Sequence, residues 1–194
     1  MLLHGRGADA NDLFPLFDYL DPERRFRGVT PQAPLRLPPG GFHWYRLGGL
    51  PTPDPATFDP TFELAARWLD ALVSETGLGY EKLVLGGFSQ GGVMTYALGL
   101  GAGRPRPARM IVMSSFVPRV PGLVLDLADV PPIASAHGAY DEISPADFGR
   151  EAKQLLETAG VDPLYREYPF AHQVAPQFLE ELRPWLREAV EHAE

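Results

Sequence analysis

The residues best suited to chemistry form a G-F-S-Q-G pattern over residues 87–91, with Ser89 at its centre. An apolar run typical of a buried strand, Lys82 to Gly86, precedes this pattern, and a run typical of a helix, Val93 to Leu98, follows it. A serine held between a strand and a helix, with glycine on both sides, is the arrangement that exposes a nucleophilic hydroxyl at a tight turn. Glycine-rich turns also serve as plain linkers, so the pattern needs supporting groups elsewhere in the chain.

A base is the first such group, because a serine hydroxyl is a good nucleophile only when a neighbour accepts its proton. In proteins with this turn, the acid and then the histidine follow the serine along the chain. Three of the five histidines follow Ser89. His192 lies in a polar tail and is predicted to be solvated, and His137 is predicted to end a strand. His172 follows an alternating strand pattern and is therefore the predicted base.

The third group is an acid that orients the base. Asp141 lies in the exit loop of the strand predicted before His172, and the interval between them fits one helix, over residues 145–159, and one strand. Glu142 is adjacent, whereas Asp147 is explained by the start of that helix, where an acidic residue favours the helix dipole. Asp141 is the predicted acid, and an aspartate in a surface turn is the alternative interpretation.

Acyl transfer also needs backbone N–H groups that bind an oxyanion. One is predicted at Gln90, which follows the serine and opens a helix. The other is predicted at Arg6, or at a neighbour in the glycine-rich loop of residues 4–7. His4 is interpreted as a buried histidine that supports this loop rather than as a catalytic group.

Seven short segments around these residues occur in a characteristic order. They are residues 3–9 (L-H-G-R-G-A-D), 33–34 followed by 42–45, 86–92 (G-G-F-S-Q-G-G), 113–118 (M-S-S-F-V-P), 137–141 and 168–172. Over nearly its whole length the chain resembles the phospholipase/carboxylesterase family, small α/β-hydrolases that include bacterial carboxylesterases and acyl-protein thioesterases. The resemblance implies Ser89 as the nucleophile, Asp141 as the acid and His172 as the base. It also implies oxyanion amides at Arg6, where the family often has leucine, and at Gln90.

The start of the chain departs from that family, whose members usually have a further strand or so before the His-Gly loop. Here only three residues precede His4. We expect either a sheet that lacks its first strands or a natural start upstream of the given sequence. A missing edge strand would expose the backbone of its neighbour to pairing, but it would remove no catalytic residue.

The predicted fold class is α/β, the α/β-hydrolase fold, in a single domain over residues 1–194. Helices between the strands imply a mostly parallel sheet with helices on both faces and a site at the carboxyl ends of the strands. One amphipathic helix, Phe62 to Val73, is predicted to bury Trp68 and Leu72. The strands are predicted near residues 2–4, 26–30, 83–86, 110–114, 133–136 and 164–168.

A stretch rich in proline, glycine and aromatic residues, 31–60, is predicted to be a lid-like excursion. Its aromatic side chains are expected to roof an acyl pocket, or simply to pin the loop to the surface. Trp44, Phe116 and Phe170 are the predicted substrate-binding residues.

Composition excludes several other function classes. The net charge of −8 argues against nucleic acids and anionic membranes as partners. The absence of cysteine excludes disulfides, a thiolate nucleophile and cysteine-ligated zinc. No apolar run approaches the length of a membrane span, so no stable membrane insertion is expected, and no signal-like start is present, so a cytoplasmic location is expected.

The sequence therefore predicts a serine carboxylesterase that hydrolyses short- to medium-chain esters and needs no metal or organic cofactor. An acyl-thioesterase or lysophospholipase using the same site is the nearest alternative. A non-catalytic small-ligand receptor is the alternative from another class, because a fold does not decide a function. A homodimer is an open option for the oligomeric state.

Overall fold

The computed structural model describes residues 1–191 and is built around a five-stranded sheet. The strands are β1 (Leu2–Leu3), β2 (Leu35–Arg36), β3 (Phe42–His43), β4 (Val84–Phe88), β5 (Arg109–Met113), β6 (Ile133–Gly138) and β7 (Leu164–Tyr168). The helices are α1 (Leu16–Leu20), α2 (Pro55–Thr76), α3 (Gln90–Leu100), α4 (Ala146–Thr158) and α5 (Pro176–Glu191). The central sheet has the order β1-β4-β5-β6-β7, and all of its pairs are parallel. β2 and β3 form a separate antiparallel pair.

Helices cover both faces of this sheet, because successive side chains of a strand point to opposite faces. On β5, Met110 and Val112 pack with side chains of α3 and α4, whereas Ile111 and Met113 pack with side chains of α1 and α5. The predicted α/β class, with a parallel sheet between two helical layers, is confirmed. Within residues 1–191, no helix combines the length and the apolar character that a bilayer crossing demands.

The strand order brings three loops to one edge of the sheet. Ser89 directly follows β4, Asp141 lies in the loop after β6, and His172 lies in the loop after β7. Since the strands are parallel, their carboxyl ends lie along the same edge. The topology therefore gathers residues that are far apart in the sequence.

Two predictions of local structure are wrong. Residues 26–30 form no strand; a single ladder-like hydrogen bond, from the Leu2 N–H to the Val29 oxygen at 2.9 Å, connects them to β1. In α2, Trp68 is 39% exposed, while its neighbour Leu69 is fully buried. Leu72, which was also predicted to be buried, is half-buried against the core. Both Trp68 and Leu69 fit an apolar stripe of helical period, so the pattern did not fix which of them faces inward.

The predicted lid over residues 31–60 needs different boundaries. α2 begins at Pro55, because proline is well tolerated in a first helical turn and the Asp54 side chain accepts a hydrogen bond from the Ala56 N–H at 3.1 Å. Trp44 and Tyr45 are buried in the core. Only parts of this segment are therefore exposed, including Leu47.

Candidate active site

The turn between β4 and α3 holds Ser89 in a strained conformation. Its φ of 53° and ψ of −119° lie in a region that residues with a side chain rarely adopt. The Ser89 N–H donates to the Met113 oxygen at 2.9 Å, and the Ser115 hydroxyl donates to the Ser89 oxygen at 2.9 Å. Contacts with the neighbouring strand β5 and the loop after it thus hold the strained turn on both sides.

The turn can form only because Gly91 has no side chain. A Cβ atom there would lie 1.9 Å from the Leu3 oxygen and 2.8 Å from the His4 oxygen. The first turn of α3 therefore packs directly on the backbone that leads into the loop of residues 4–7.

We expect Gly91→Ala to destabilise the protein by at least about 3 kcal/mol, because two backbone segments would have to move apart. Urea unfolding, followed by circular dichroism, measures this change. Gly40→Ala is the matched control, since a Cβ atom at Gly40 meets no atom within 4 Å. Equal stability of the two variants would contradict the packing described for the turn.

His172 connects the serine to the acid. Its Nε2 atom lies 2.9 Å from the Ser89 Oγ, and its Nδ1 atom lies 2.7 Å from the Asp141 Oδ2. The Asp141 side chain is fully buried, and its Oδ1 accepts hydrogen bonds from the N–H groups of Ile143 at 2.9 Å and Ser144 at 2.8 Å. An ionised carboxylate only accepts hydrogen bonds, so the His172 proton resides on Nδ1 and Nε2 is left to accept the proton of Ser89.

The other residues weighed for these roles lie elsewhere. Glu142 is exposed, and Asp147 is paired with Arg150 at 2.7 Å on the surface of α4. His137 is buried within β6, where burial lowers the pKa of its imidazole. His192 lies outside the described residues.

The two N–H groups predicted as oxyanion donors, those of Arg6 and Gln90, have no acceptor among the described residues. Gln90 opens α3, so its N–H also carries the positive end of the helix dipole. The loop that carries Arg6 touches the nucleophile turn, because a Cβ atom at Gly5 would lie 3.5 Å from the Ser89 Cβ. These are the two donors expected for an oxyanion site, and the Arg6 side chain itself is exposed.

His4 fixes the peptide that carries the Arg6 N–H. The His4 Nε2 accepts the Ala33 N–H at 3.1 Å, so the proton is on Nδ1, which donates to the Gly5 oxygen at 2.7 Å. Burial lowers the pKa of His4 and thereby favours this neutral form. The Gly5 carbonyl and the Arg6 N–H belong to one planar trans peptide and point in opposite directions. Because His4 holds the Gly5 carbonyl toward its own ring, the Arg6 N–H points away from His4.

The three residues predicted to bind substrate have different surroundings. Trp44 is 3% exposed, and its indole N–H donates to the His4 oxygen at 2.8 Å, so it lies beneath the loop of residues 4–7 instead of roofing an open pocket. Phe116 is 6% exposed and packs against Phe148. Phe170 is half-buried against Tyr168.

Two cavities have linings that do not include Ser89, Asp141 or His172. A cavity of about 310 Å³ lies near the start of β4, and one of about 480 Å³ lies between Phe116 and α4. Ser89 itself is partly exposed, and the His172 side chain is 14% exposed. The Ser89 hydroxyl is therefore accessible from the protein surface.

Sequence reasoning did not assign roles to the Ser115 hydroxyl and the Gln90 side chain. Ser115 lies in the 113–118 segment that carries the family resemblance. It follows β5, and β5 pairs with β4, so its position in the sequence could have indicated a contact with the turn after β4. Gln90 is 4% exposed, and its side chain bonds to the backbone of residues 44–45. No periodicity predicts that contact, because it joins a helix to an irregular segment.

Comparisons with known proteins agree with this fold. A family model described as Phospholipase/Carboxylesterase matches residues 1–190. Acyl-protein thioesterase 1 of Gibberella zeae is 28% identical over 174 residues, which is 81% of this chain and 73% of that protein. The crystal structure of esterase PE8 is 26% identical with a TM-score of 0.78, covering 97% of this chain and 90% of that one. The Bacillus cereus carboxylesterase, 24% identical, has a TM-score of 0.81 and the same fold over 97% of this chain and 87% of its own.

Proposed function

The chain belongs to the phospholipase/carboxylesterase family of α/β-hydrolases, and from that premise we propose that it is a serine carboxylesterase acting on short- to medium-chain esters. One observation carries the proposal: the continuous hydrogen-bonded chain from the Ser89 Oγ through His172 to the buried carboxylate of Asp141. The two free N–H groups beside Ser89 support it, since they are the donors that acyl transfer requires.

In the first step, His172 Nε2 takes the Ser89 proton while Oγ attacks the ester carbonyl carbon. The carbonyl oxygen becomes an oxyanion and accepts hydrogen bonds from the Arg6 and Gln90 N–H groups. Asp141 stabilises the imidazolium that forms, because its carboxylate faces the Nδ1–H. His172 then donates its proton to the leaving alcohol, and the acyl group remains on Ser89.

In the second step, water replaces the alcohol. His172 takes a proton from the water as its oxygen attacks the acyl carbonyl, and the same two N–H groups bind the second oxyanion. Collapse of that intermediate returns the proton to Ser89 and releases the carboxylic acid. Each step uses the same three side chains, so no further group is needed to close the cycle.

The surroundings of the triad support small ester substrates. Tyr140 and Ile143 flank Asp141 and are 70% and 63% exposed, so they offer apolar contact at the surface. The segment of residues 31–60 contributes buried side chains, such as those of Trp44 and Tyr45, rather than a complete lid. We expect exposed side chains such as Tyr140 and Ile143 to contact only the first part of an acyl chain.

Thioester hydrolysis is the second candidate, favoured by the relative named acyl-protein thioesterase 1. The same nucleophile and oxyanion donors act on a thioester carbonyl, and a thiolate is a better leaving group than an alkoxide. The distinction therefore depends on what binds beside the triad rather than on the triad itself.

Hydrolysis of p-nitrophenyl esters from acetate to palmitate, compared with the matching acyl thioesters, tests the proposal. We expect kcat/KM to peak between butyrate and octanoate, because the exposed apolar rim contacts only the first part of an acyl chain. A peak at palmitate, or thioesters far exceeding esters of the same length, would contradict the carboxylesterase proposal. Ser89→Ala gives the background rate for every substrate.

A further inference from the structure

The two oxyanion donors lie on separate segments, and their spacing must be maintained by other groups. The Arg6 N–H belongs to the loop after β1, and the Gln90 N–H belongs to the first turn of α3. An oxyanion binds well only when both donors lie about 3 Å from the position where its charge develops. A small shift between the segments would weaken one of the two hydrogen bonds.

The side chain of Gln90 does not face the reactants. Its Oε1 accepts the Trp44 N–H at 3.1 Å, and its Nε2 donates to the Tyr45 oxygen at 2.9 Å. Both ends of the amide are thus bonded to the backbone of one short segment, residues 44–45. Because the side chain is almost fully buried, water cannot replace these bonds easily.

The indole of Trp44 continues this connection to the other segment. Its N–H donates to the His4 oxygen at 2.8 Å, and its ring lies 5.5 Å from the His4 ring, centroid to centroid. His4 in turn holds the Gly5 carbonyl, whose peptide carries the Arg6 N–H. A continuous path of hydrogen bonds therefore runs from the residue that carries one donor to the peptide that carries the other.

We propose that the side chains of Gln90 and Trp44 are positioning residues that set the spacing of the two oxyanion donors. The proposal rests on the proposed function. It gives Gln90 two roles. Its N–H binds the oxyanion, and its side chain, through Trp44, holds the loop that carries the Arg6 N–H. It also assigns to Trp44 a role beneath the oxyanion site rather than in substrate contact.

Trp44→Phe is the test, because it removes the indole N–H and keeps an aromatic ring in the core. We expect kcat for p-nitrophenyl butyrate to fall about 10- to 100-fold with KM nearly unchanged. The displaced N–H groups stabilise the oxyanion less well but contribute little to the binding of the ester. The inhibition constant of an alkylboronic acid, whose tetrahedral adduct on Ser89 occupies the oxyanion site, should rise by a similar factor. Trp68→Phe is the matched control, because Trp68 is exposed on α2 and lies outside this path.

An unchanged kcat, or a lower kcat with undiminished boronic acid affinity, would overturn the proposal even if the variant is less stable. If Trp44→Phe does not fold, 3-benzothienylalanine at position 44 serves instead, since it replaces the N–H by sulfur in a ring of the same shape. Wild-type activity separates the two proposals. An active wild type with an unaffected variant refutes only the positioning role, whereas an inactive wild type refutes the proposed function.

Discussion

Replacing Ser89 with alanine is expected to lower kcat for p-nitrophenyl butyrate by roughly 10⁵- to 10⁶-fold. The Ser89 hydroxyl lies 2.9 Å from His172 Nε2 at the strained turn, so its loss leaves the base without the nucleophile that it activates. The residual rate reflects binding and the oxyanion donors alone. Burst and steady-state release of p-nitrophenol under saturating substrate measure the loss.

A second serine supplies the control for this experiment. Ser74 is exposed near the end of α2, which lies beside the start of β4, at the opposite end of that strand from Ser89, so Ser74→Ala should retain the wild-type rate. Ser89→Ala should remain folded, because alanine removes only an oxygen and leaves the backbone bond from residue 89 to the Met113 oxygen in place. A folded Ser89→Ala protein with near wild-type turnover would show that another group is the nucleophile.

Asp141→Asn is expected to lower kcat by about 10⁴-fold without changing the shape of the site. The N–H groups of Ile143 and Ser144 both point at Oδ1, so the new carboxamide keeps its oxygen there and presents its NH₂ group to His172. The Nδ1 atom of His172 must then accept a hydrogen bond, which moves the ring proton to Nε2. In that tautomer Nε2 cannot take the proton of Ser89.

A variant of the adjacent residue, Glu142, tests whether Asp141 is the acid. Glu142 is exposed and takes no part in the hydrogen bonds of His172, so Glu142→Gln should retain the wild-type rate. Thermal unfolding of both variants checks that each is folded at the assay temperature. A severe loss in Glu142→Gln together with a normal Asp141→Asn would mean that the acid has been assigned to the wrong residue.

The meeting of Ser89, Asp141 and His172 could be predicted because, in a parallel α/β sheet, the order of the strands along the chain determines which loops lie at the same edge. Ser89, Asp141 and His172 each follow an apolar or alternating strand, and strands of one parallel sheet end at the same edge. The glycines beside Ser89 reflect a steric demand that is legible in the sequence, as the close contacts at Gly91 illustrate. The features that were predicted best therefore depend on where strands end and on how closely two backbone segments approach each other.

The face of a helix that is buried, and whether an irregular segment pairs as a strand, could not be predicted in the same way. Trp68 and Leu69 are adjacent apolar residues of α2, and only packing against α3 and the sheet selects Leu69 for the core. Residues 26–30 have the composition of a strand, but they form one ladder-like hydrogen bond with β1 instead of a continuous ladder. Such choices depend on contacts between distant segments rather than on local pattern.

Trp44 illustrates the same limit at the site. Aromatic residues in a proline- and glycine-rich segment suggested a roof over the substrate, but Trp44 is buried, and its indole N–H bonds to the His4 oxygen. The sequence shows that the segment is irregular and apolar, and it does not show which side of the oxyanion loop the segment packs against. The partners of Gln90 were hidden for the same reason.

Labelling with a fluorophosphonate tests the central claim most directly, because the reagent forms a covalent bond only with a serine activated by its surroundings. Intact mass and peptide mapping should show one adduct per chain, located on Ser89, and ester hydrolysis should be lost in proportion to the labelled fraction. His172→Ala should remain unlabelled under the same conditions. An adduct on a different serine, or ester hydrolysis that persists in fully labelled protein, would contradict the account.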